Sequence, residues 1–275
     1  MRVGVPVGQP TRGTTGTNRL RRNDRWIAAS DAFRRADDPL VIDLGYGASG
    51  VTAFELAQRL RRTRPGADVI GLELDPARVA KAREQLVEVR AGRTPFASDL
   101  PVSFARGGFE VPLPNGRRPA VIRAMNVLRQ YDENDVADAW KRVASRLVPG
   151  GMLVEGTCDE IGRVASWVDV ASDGLPVRFT ISLRLAELEH PGIVAERLPK
   201  ALIHRNIPGE RIHDLLQLLD REWEHAAPLS TFGAVQRWMA SVSALKSQGV
   251  PVLGDRRRWR LGELTLPWSS VAPLP

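Results

Sequence analysis

A short apolar run, Leu40 to Leu44, passes straight into Gly45-Tyr46-Gly47-Ala48-Ser49-Gly50 and then into a helix-patterned segment, Val51 to Leu60. A strand, a glycine turn and a helix in that order open a crossover unit, and crossovers of this kind build parallel sheets covered by helices. The alternation continues downstream. Ala67 to Leu72 reads as a second strand, and Pro76 to Val89 as a helix with proline in its first turn. Val102 to Ala105 and Ala120 to Ala124 read as strands three and four. Asp132 to Leu147 is a helix with Val136, Trp140, Val143 and Leu147 on one face, and Gly151 to Thr157 is strand five. The fold expected is α/β: a Rossmann-like, doubly wound, mostly parallel seven-stranded sheet with a late antiparallel hairpin and C-terminal helices.

The flanks follow other patterns. Residues 1–18 are rich in glycine, threonine and proline and read as an irregular arm, while 19–36 read as one helix. Val164 to Val170 and Val177 to Leu185 enclose Ser172-Asp173-Gly174-Leu175-Pro176, a hairpin pattern. Ile212, Leu215, Leu216, Leu219 and Trp223 form one helical stripe; Phe232, Val235, Trp238, Met239, Val242 and Leu245 form another. The basic tail from Gly254 reads as loosely held. The organisation expected is a basic arm and helix over 1–39, a core over 40–190 and a helical extension over 191–275.

Composition removes several classes. Hydrophobic residues make up 43% and charged residues 26%, so the chain has enough apolar surface for a packed core. No apolar run approaches the roughly 18 residues that span a bilayer, so no membrane partner is expected. The N-terminus lacks an apolar leader segment, and Cys158 is the one cysteine, which points to a reducing, cytoplasmic setting. The four histidines show no close metal-ligand spacing, so no metal is expected. Net charge is +7, and 35 of the 39 cations are arginine. Arginine binds phosphate in two-pronged fashion, so nucleic acid enters as a candidate partner. A general arginine preference explains the same count.

Gly45-x-Gly47-x-x-Gly50 fits the dinucleotide fingerprint formally. Asp43 separates the readings. A carboxylate two residues before the first glycine suits a cationic amino group better than a pyrophosphate, so a ligand carrying an ammonium fits better than NAD.

Asp43-Leu44-Gly45-Tyr46-Gly47 resembles the glycine motif of the class I S-adenosylmethionine-dependent methyltransferases. Three further segments follow the family's order. Glu73 closes the second strand, where the family places the acid for the ribose hydroxyls. Asn126-Val127-Leu128 follows strand four, and Leu147-Val148-Pro149-Gly150-Gly151 precedes strand five. The resemblance covers about residues 40–157. It implies S-adenosylmethionine as cofactor and a cofactor site at Asp43, Gly45, Tyr46, Gly47, Glu73, Leu74, Gly108, Phe109 and Asn126. Where many members carry Gly-Asp after strand three, this chain has Gly107-Gly108, and it has Ala120 where an Asp often opens strand four. The function implied is methyl transfer to RNA or to a small metabolite. The rival is a cofactor-binding module without catalysis that acts through partners.

The chemistry has few candidate residues. The Asp/Asn-Pro-Pro-Tyr/Phe signature of amino-methyltransferases is missing. Thr157-Cys158 resembles the strand-five pair of RNA 5-methylcytosine enzymes, but their strand-four Pro-Cys is replaced by Met125-Asn126, so Cys158 is expected to be structural and buried. Arg123 and Glu155 lie inside apolar strands and are expected to pair with each other across strands four and five. With Asn126 they are the catalytic candidates. Five arginines against one acid in residues 10–26 suit phosphate, which makes Arg12, Arg19, Arg21 and Arg22 substrate-binding candidates. The arm is expected to act on substrate rather than on cofactor.

Overall fold

A computed structural model describes residues 6–11, 13 and 15–274. Strands β1 (Leu40–Leu44), β2 (Asp68–Glu73), β3 (Val102–Arg106) and β4 (Val121–Met125) are hydrogen-bonded in parallel in the order β3-β2-β1-β4. All five residues of β1 and of β4 are buried, as expected for parallel strands covered on both faces, and this is why both read as nearly unbroken apolar runs. The order continues through β5 (Met152–Cys158), β6 (Val164–Ala171), β7 (Pro176–Leu183) and β8 (Glu263–Pro267). The sheet thus has eight strands rather than seven.

The chain divides into two compact units. The first runs to Glu155 and includes 160–162 and 170–175. In it, helices α1 (Arg21–Ala29), α2 (Asp31–Arg34), α3 (Val51–Leu60), α4 (Pro76–Arg90) and α5 (Val136–Ala144) accompany the parallel strands. Phe54 of α3 meets Phe104 of β3 edge to face at 5.3 Å, an arrangement that aromatic quadrupoles favour. Asp75 caps α4 by accepting from the Ala77 N–H, one position before Pro76. The expected helix over 19–36 is broken at Ser30. Its backbone is extended there, and its hydroxyl caps α2 by accepting from the Phe33 N–H.

The second unit holds 156–159, 163–169 and everything from 176 onward. Besides α6 (Lys200–Ile203), it contains α7 (Arg211–His225) and α8 (Ala234–Ser247), whose stripes supply buried Leu215, Leu219, Trp223, Trp238 and Val242. The Arg237 guanidinium stacks 3.9 Å from the Trp223 ring centroid. Phe232 and Val235, placed in the second stripe by the sequence, are exposed. The tail is also ordered differently from expectation. Asp255 caps α9 (Arg256–Trp259), and β8 pairs antiparallel with β7, Thr180 opposite Thr265 with their hydroxyls 3.0 Å apart. Leu264 and Leu266 are fully buried, so the tail is part of a core. Among the described residues no helix is long and apolar enough to cross a membrane, and no group of His, Cys, Asp and Glu side chains is arranged to hold a metal.

Candidate cofactor site

The site forms where the strand order reverses, between β1 and β4, at the carboxyl ends of the strands. Gly45 and Gly47 take φ of +69° and +88°, a region that side chains with a Cβ avoid. A Cβ on Gly45 would also stand 2.9 Å from a Val127 methyl, so the β1 and β4 loops meet here. Glu73, 1% exposed at the end of β2, reaches across: its Oε2 accepts from the Gly47 N–H at 3.0 Å, and its Oε1 accepts from the Leu74 N–H at 2.8 Å. Arg78 stands 3.6 Å from the same carboxylate. The acid and the glycine loop, 26 residues apart in sequence, are therefore one hydrogen-bonded assembly.

Leu74, Gly108, Phe109 and Asn126 line the same end. The Phe109 ring packs on Tyr131 with centroids 5.3 Å apart. Asn126 holds φ of +60°, an uncommon conformation for a residue with a side chain, at the turn out of β4. Tyr46 differs from the expectation for its side chain. Its ring turns inward, edge-on to Phe104 at 5.2 Å, and burial pushes its hydroxyl well above the usual tyrosine range. The Tyr46 backbone alone remains to face a ligand.

Asp43 is the larger correction. It does not offer a charge at the loop mouth. It lies opposite Arg123 in the β1–β4 register, and Arg123 Nε and Nη2 donate to its two oxygens at 2.9 and 2.6 Å. The Thr52 hydroxyl donates to it as well, at 3.0 Å. Arg123 Nη1 donates to Asp24 of α1, and Nη2 also reaches the Thr52 carbonyl at 3.1 Å. Burial works against the Arg123 charge, but Asp43 and Asp24 outweigh it and hold the guanidinium above its ordinary value. Burial likewise raises the Asp24 carboxyl, in opposition to Arg123 and Arg59.

Arg123 and Glu155 do not pair. Glu155 accepts from the indole N–H of Trp140 at 3.3 Å, and its second oxygen is buried without a hydrogen-bond partner. Burial pushes its carboxyl up to about 8. Arg123 is fully buried and Glu155 is 1% exposed, so neither side chain is open to the surface, where a catalytic candidate would need to be. Asn126 stays a candidate. Cys158 is buried, as expected.

The arginines of the arm are not brought together. Arg12 lies outside the described residues. Arg19 is 8% exposed, and Arg22 Nε donates to the Gly162 carbonyl at 3.2 Å. Arg21 lines an open groove of about 840 Å³ with Arg25, Arg34, Arg59 and Arg62. Ahead of them, residues 7–11 and Gly13 run across the candidate cofactor site. The Val7 carbonyl accepts from the Phe109 N–H at 2.8 Å. The Thr11 carbonyl accepts from Arg78 at 2.9 Å, and the Gly13 carbonyl from the Ala48 N–H at 2.9 Å.

The parallel order β3-β2-β1-β4, the glycine turn after β1 and the acid closing β2 onto that turn decide the architecture. The architecture is Rossmann-like, and over its parallel strands it is similar to that of class I S-adenosylmethionine-dependent methyltransferases. No family model matches the chain, and no curated protein is detectably similar to it in sequence. Solved structures that resemble part of it are methyltransferases. The CcbJ methyltransferase from Streptomyces caelestis is 18% identical over 61% of this chain and 71% of its own, with a TM-score of 0.38. The mitomycin 7-O-methyltransferase MmcR is 27% identical over 50% and 35%, with a TM-score of 0.36. Human N-acetylserotonin methyltransferase, solved with S-adenosylmethionine, is 24% identical over 51% and 36%, with a TM-score of 0.35. The chain thus spans about a third of the length of the last two.

Proposed function

We propose that the chain binds S-adenosylmethionine at the β1–β4 switch point and transfers its methyl group to an acceptor. The observation that carries this over a dinucleotide reading is the state of the α3 N-terminus. A pyrophosphate needs the first N–H groups of that helix open. Here the Gly50 N–H donates to Gln85 Oε1 at 2.9 Å and the Val51 N–H to the Ser49 hydroxyl at 3.4 Å. The helix end is closed by side chains, so a ligand without phosphate suits it better.

The walls fit the cofactor. In this reading Glu73 would hold the ribose hydroxyls, and Leu74 and Phe109 would cover the two faces of the adenine. Gly45 and Gly47 let the backbone come close to the amino-acid portion, where any Cβ would crowd. When bound, the cofactor supplies a methyl group already activated on a sulfonium, so the protein's task is alignment of the acceptor. Asn126, held at the turn after β4, would be the side chain that orients it. Neither Asp43 nor Glu155 would act as a base for that acceptor, because both face inward.

Calorimetry should show S-adenosylhomocysteine binding and no tight NAD binding. Gly47→Val should abolish that binding, because a β-branched residue is strained at φ of +88°. Glu73→Ala should weaken it at least tenfold. Tight NAD binding without a S-adenosylhomocysteine signal would overturn the reading. Transfer of a labelled methyl to an RNA pool or a metabolite pool then identifies the acceptor; cofactor binding with no transfer to either would favour a non-catalytic module.

A further inference from the structure

Residues 7–11 and Gly13 follow the path that the proposed cofactor would take. From one end to the other the strap touches the adenine wall, the ribose side and the glycine loop. At the first, Val7 accepts from the Phe109 N–H, and its carbonyl oxygen would lie 2.0 Å from a Cβ on Gly108. In the middle, a Cβ on Gly8 would stand 3.2 Å from a Leu74 methyl, and Thr11 holds Arg78, the neighbour of Glu73. At the far end Gly13 accepts from the Ala48 N–H and lies over Gly47. These are the backbone donors and apolar walls that a nucleoside with an amino-acid tail would use, and two occupants cannot share them.

We infer that the strap formed by residues 7–11 and Gly13 is an internal competitor for the cofactor cleft, and that S-adenosylmethionine enters only as this strap leaves. The inference rests on the cofactor reading above. The way the strap is held agrees with it. Its C-terminal end is anchored: the Asn18 N–H donates to Glu55 at 2.8 Å, Arg59 donates to the Asn18 side-chain carbonyl at 2.6 Å, and α1 follows with Asp24 locked to Arg123. Across the cleft the hold is lighter. The Val7 N–H donates to Glu110 at 2.8 Å, the Gln9 N–H donates to the Tyr131 hydroxyl, and Gln130 donates to the Gln9 carbonyl at 2.9 Å. Gly8, Gln9 and Pro10 are exposed and Val7 is 36% exposed, so the segment buries little apolar surface. Apart from buried Gly13, the strap is held by hydrogen bonds and not by buried apolar side chains, which gives a modest preference for the closed form. Such a preference lowers the apparent affinity of a competing ligand by the fraction of molecules that are open.

The test compares S-adenosylhomocysteine binding to the full chain and to a protein lacking residues 1–13, with hydrogen exchange on the full chain. The truncated protein should bind about tenfold more tightly, as it would if about a tenth of full-length molecules are open. A synthetic peptide of residues 6–15 should compete with the ligand on the truncated protein. In the full chain, the Val7 and Gln9 amides should exchange faster when S-adenosylhomocysteine is added. Equal affinities, or slower exchange of those amides with ligand, would show that the strap lies over the cofactor instead of in its place and would overturn this proposal alone. Failure of both proteins to bind S-adenosylhomocysteine would overturn the cofactor reading and this proposal with it.

Discussion

Arg123→Met should destabilise the protein by about 3–5 kcal/mol at pH 7, the loss typical of a buried charge network stripped of one partner. For a chain of this size that is a fall in Tm of roughly 10 °C. Arg123 is fully buried, and its guanidinium serves Asp43 and Asp24 at once. Without it both carboxylates are left in the core with no positive partner at β4. Asp43 keeps the Thr52 hydroxyl, and Asp24 keeps Arg59. The sign of the pH dependence follows. Burial already raises the Asp24 carboxyl and the variant removes an opposing charge, so Asp24 holds its proton more tightly folded than unfolded and stability falls as pH rises above its unfolded value near 4. The deficit should therefore be smaller at pH 4 than at pH 7. Denaturant melts at the two pH values measure it, and a loss under about 1 kcal/mol at pH 7 would mean that Asp24 and Asp43 do not depend on Arg123.

Glu155→Gln should do the reverse and stabilise the protein at neutral and higher pH. Glu155 is buried against Trp140 with one oxygen lacking a partner, and its carboxyl is pushed up to about 8 in the folded chain. Unfolded, it releases its proton near the ordinary glutamate value of about 4.3. Between those values the folded state binds the extra proton, so stability falls by about 1.4 kcal/mol for each pH unit. Near pH 7 the accumulated cost is on the order of 3 kcal/mol, and below about pH 4 it vanishes because both states are protonated. Glutamine has the same shape without the titration. The gain in stability from Glu155→Gln should thus be near zero at pH 4 and a few kcal/mol at pH 7.5. A gain that does not vary with pH would place the Glu155 carboxyl in water and remove the premise.

Local signals in the sequence were strong where one element decides its own conformation. β1 and β4 are buried on both faces, so their apolar runs announce them, and the glycines at 45 and 47 mark a turn that needs positive φ. Glu73 was picked out at the end of β2 by the family resemblance, and the structure adds that it braces the loop through the Gly47 N–H. The signals failed where a side chain had more than one partner within reach. Arg123 had Glu155 as its candidate in the neighbouring strand, but the residue opposite it in the register is Asp43, and a second carboxylate comes from a helix 99 positions earlier. β8 was missed because its partner, β7, lies about 85 residues away, and a basic, proline-flanked segment gives no sign of an edge waiting for it.

The succession of strands and helices from β1 to β5 and the glycine loop were determined by the sequence alone, because periodicity and backbone freedom are local properties of residue type. Only the tertiary structure decided how charge is distributed inside. Whether Asp43 faces a ligand or a guanidinium depends on which strand lies beside it and on which helix covers the end, and both are set by packing over long separations. The course of residues 7–11 and of Gly13 was decided in the same way. Glycine, threonine and proline permit an extended strap, but the donors that receive it, at Ala48, Arg78 and Phe109, come from three separate loops and elements that meet only in the fold.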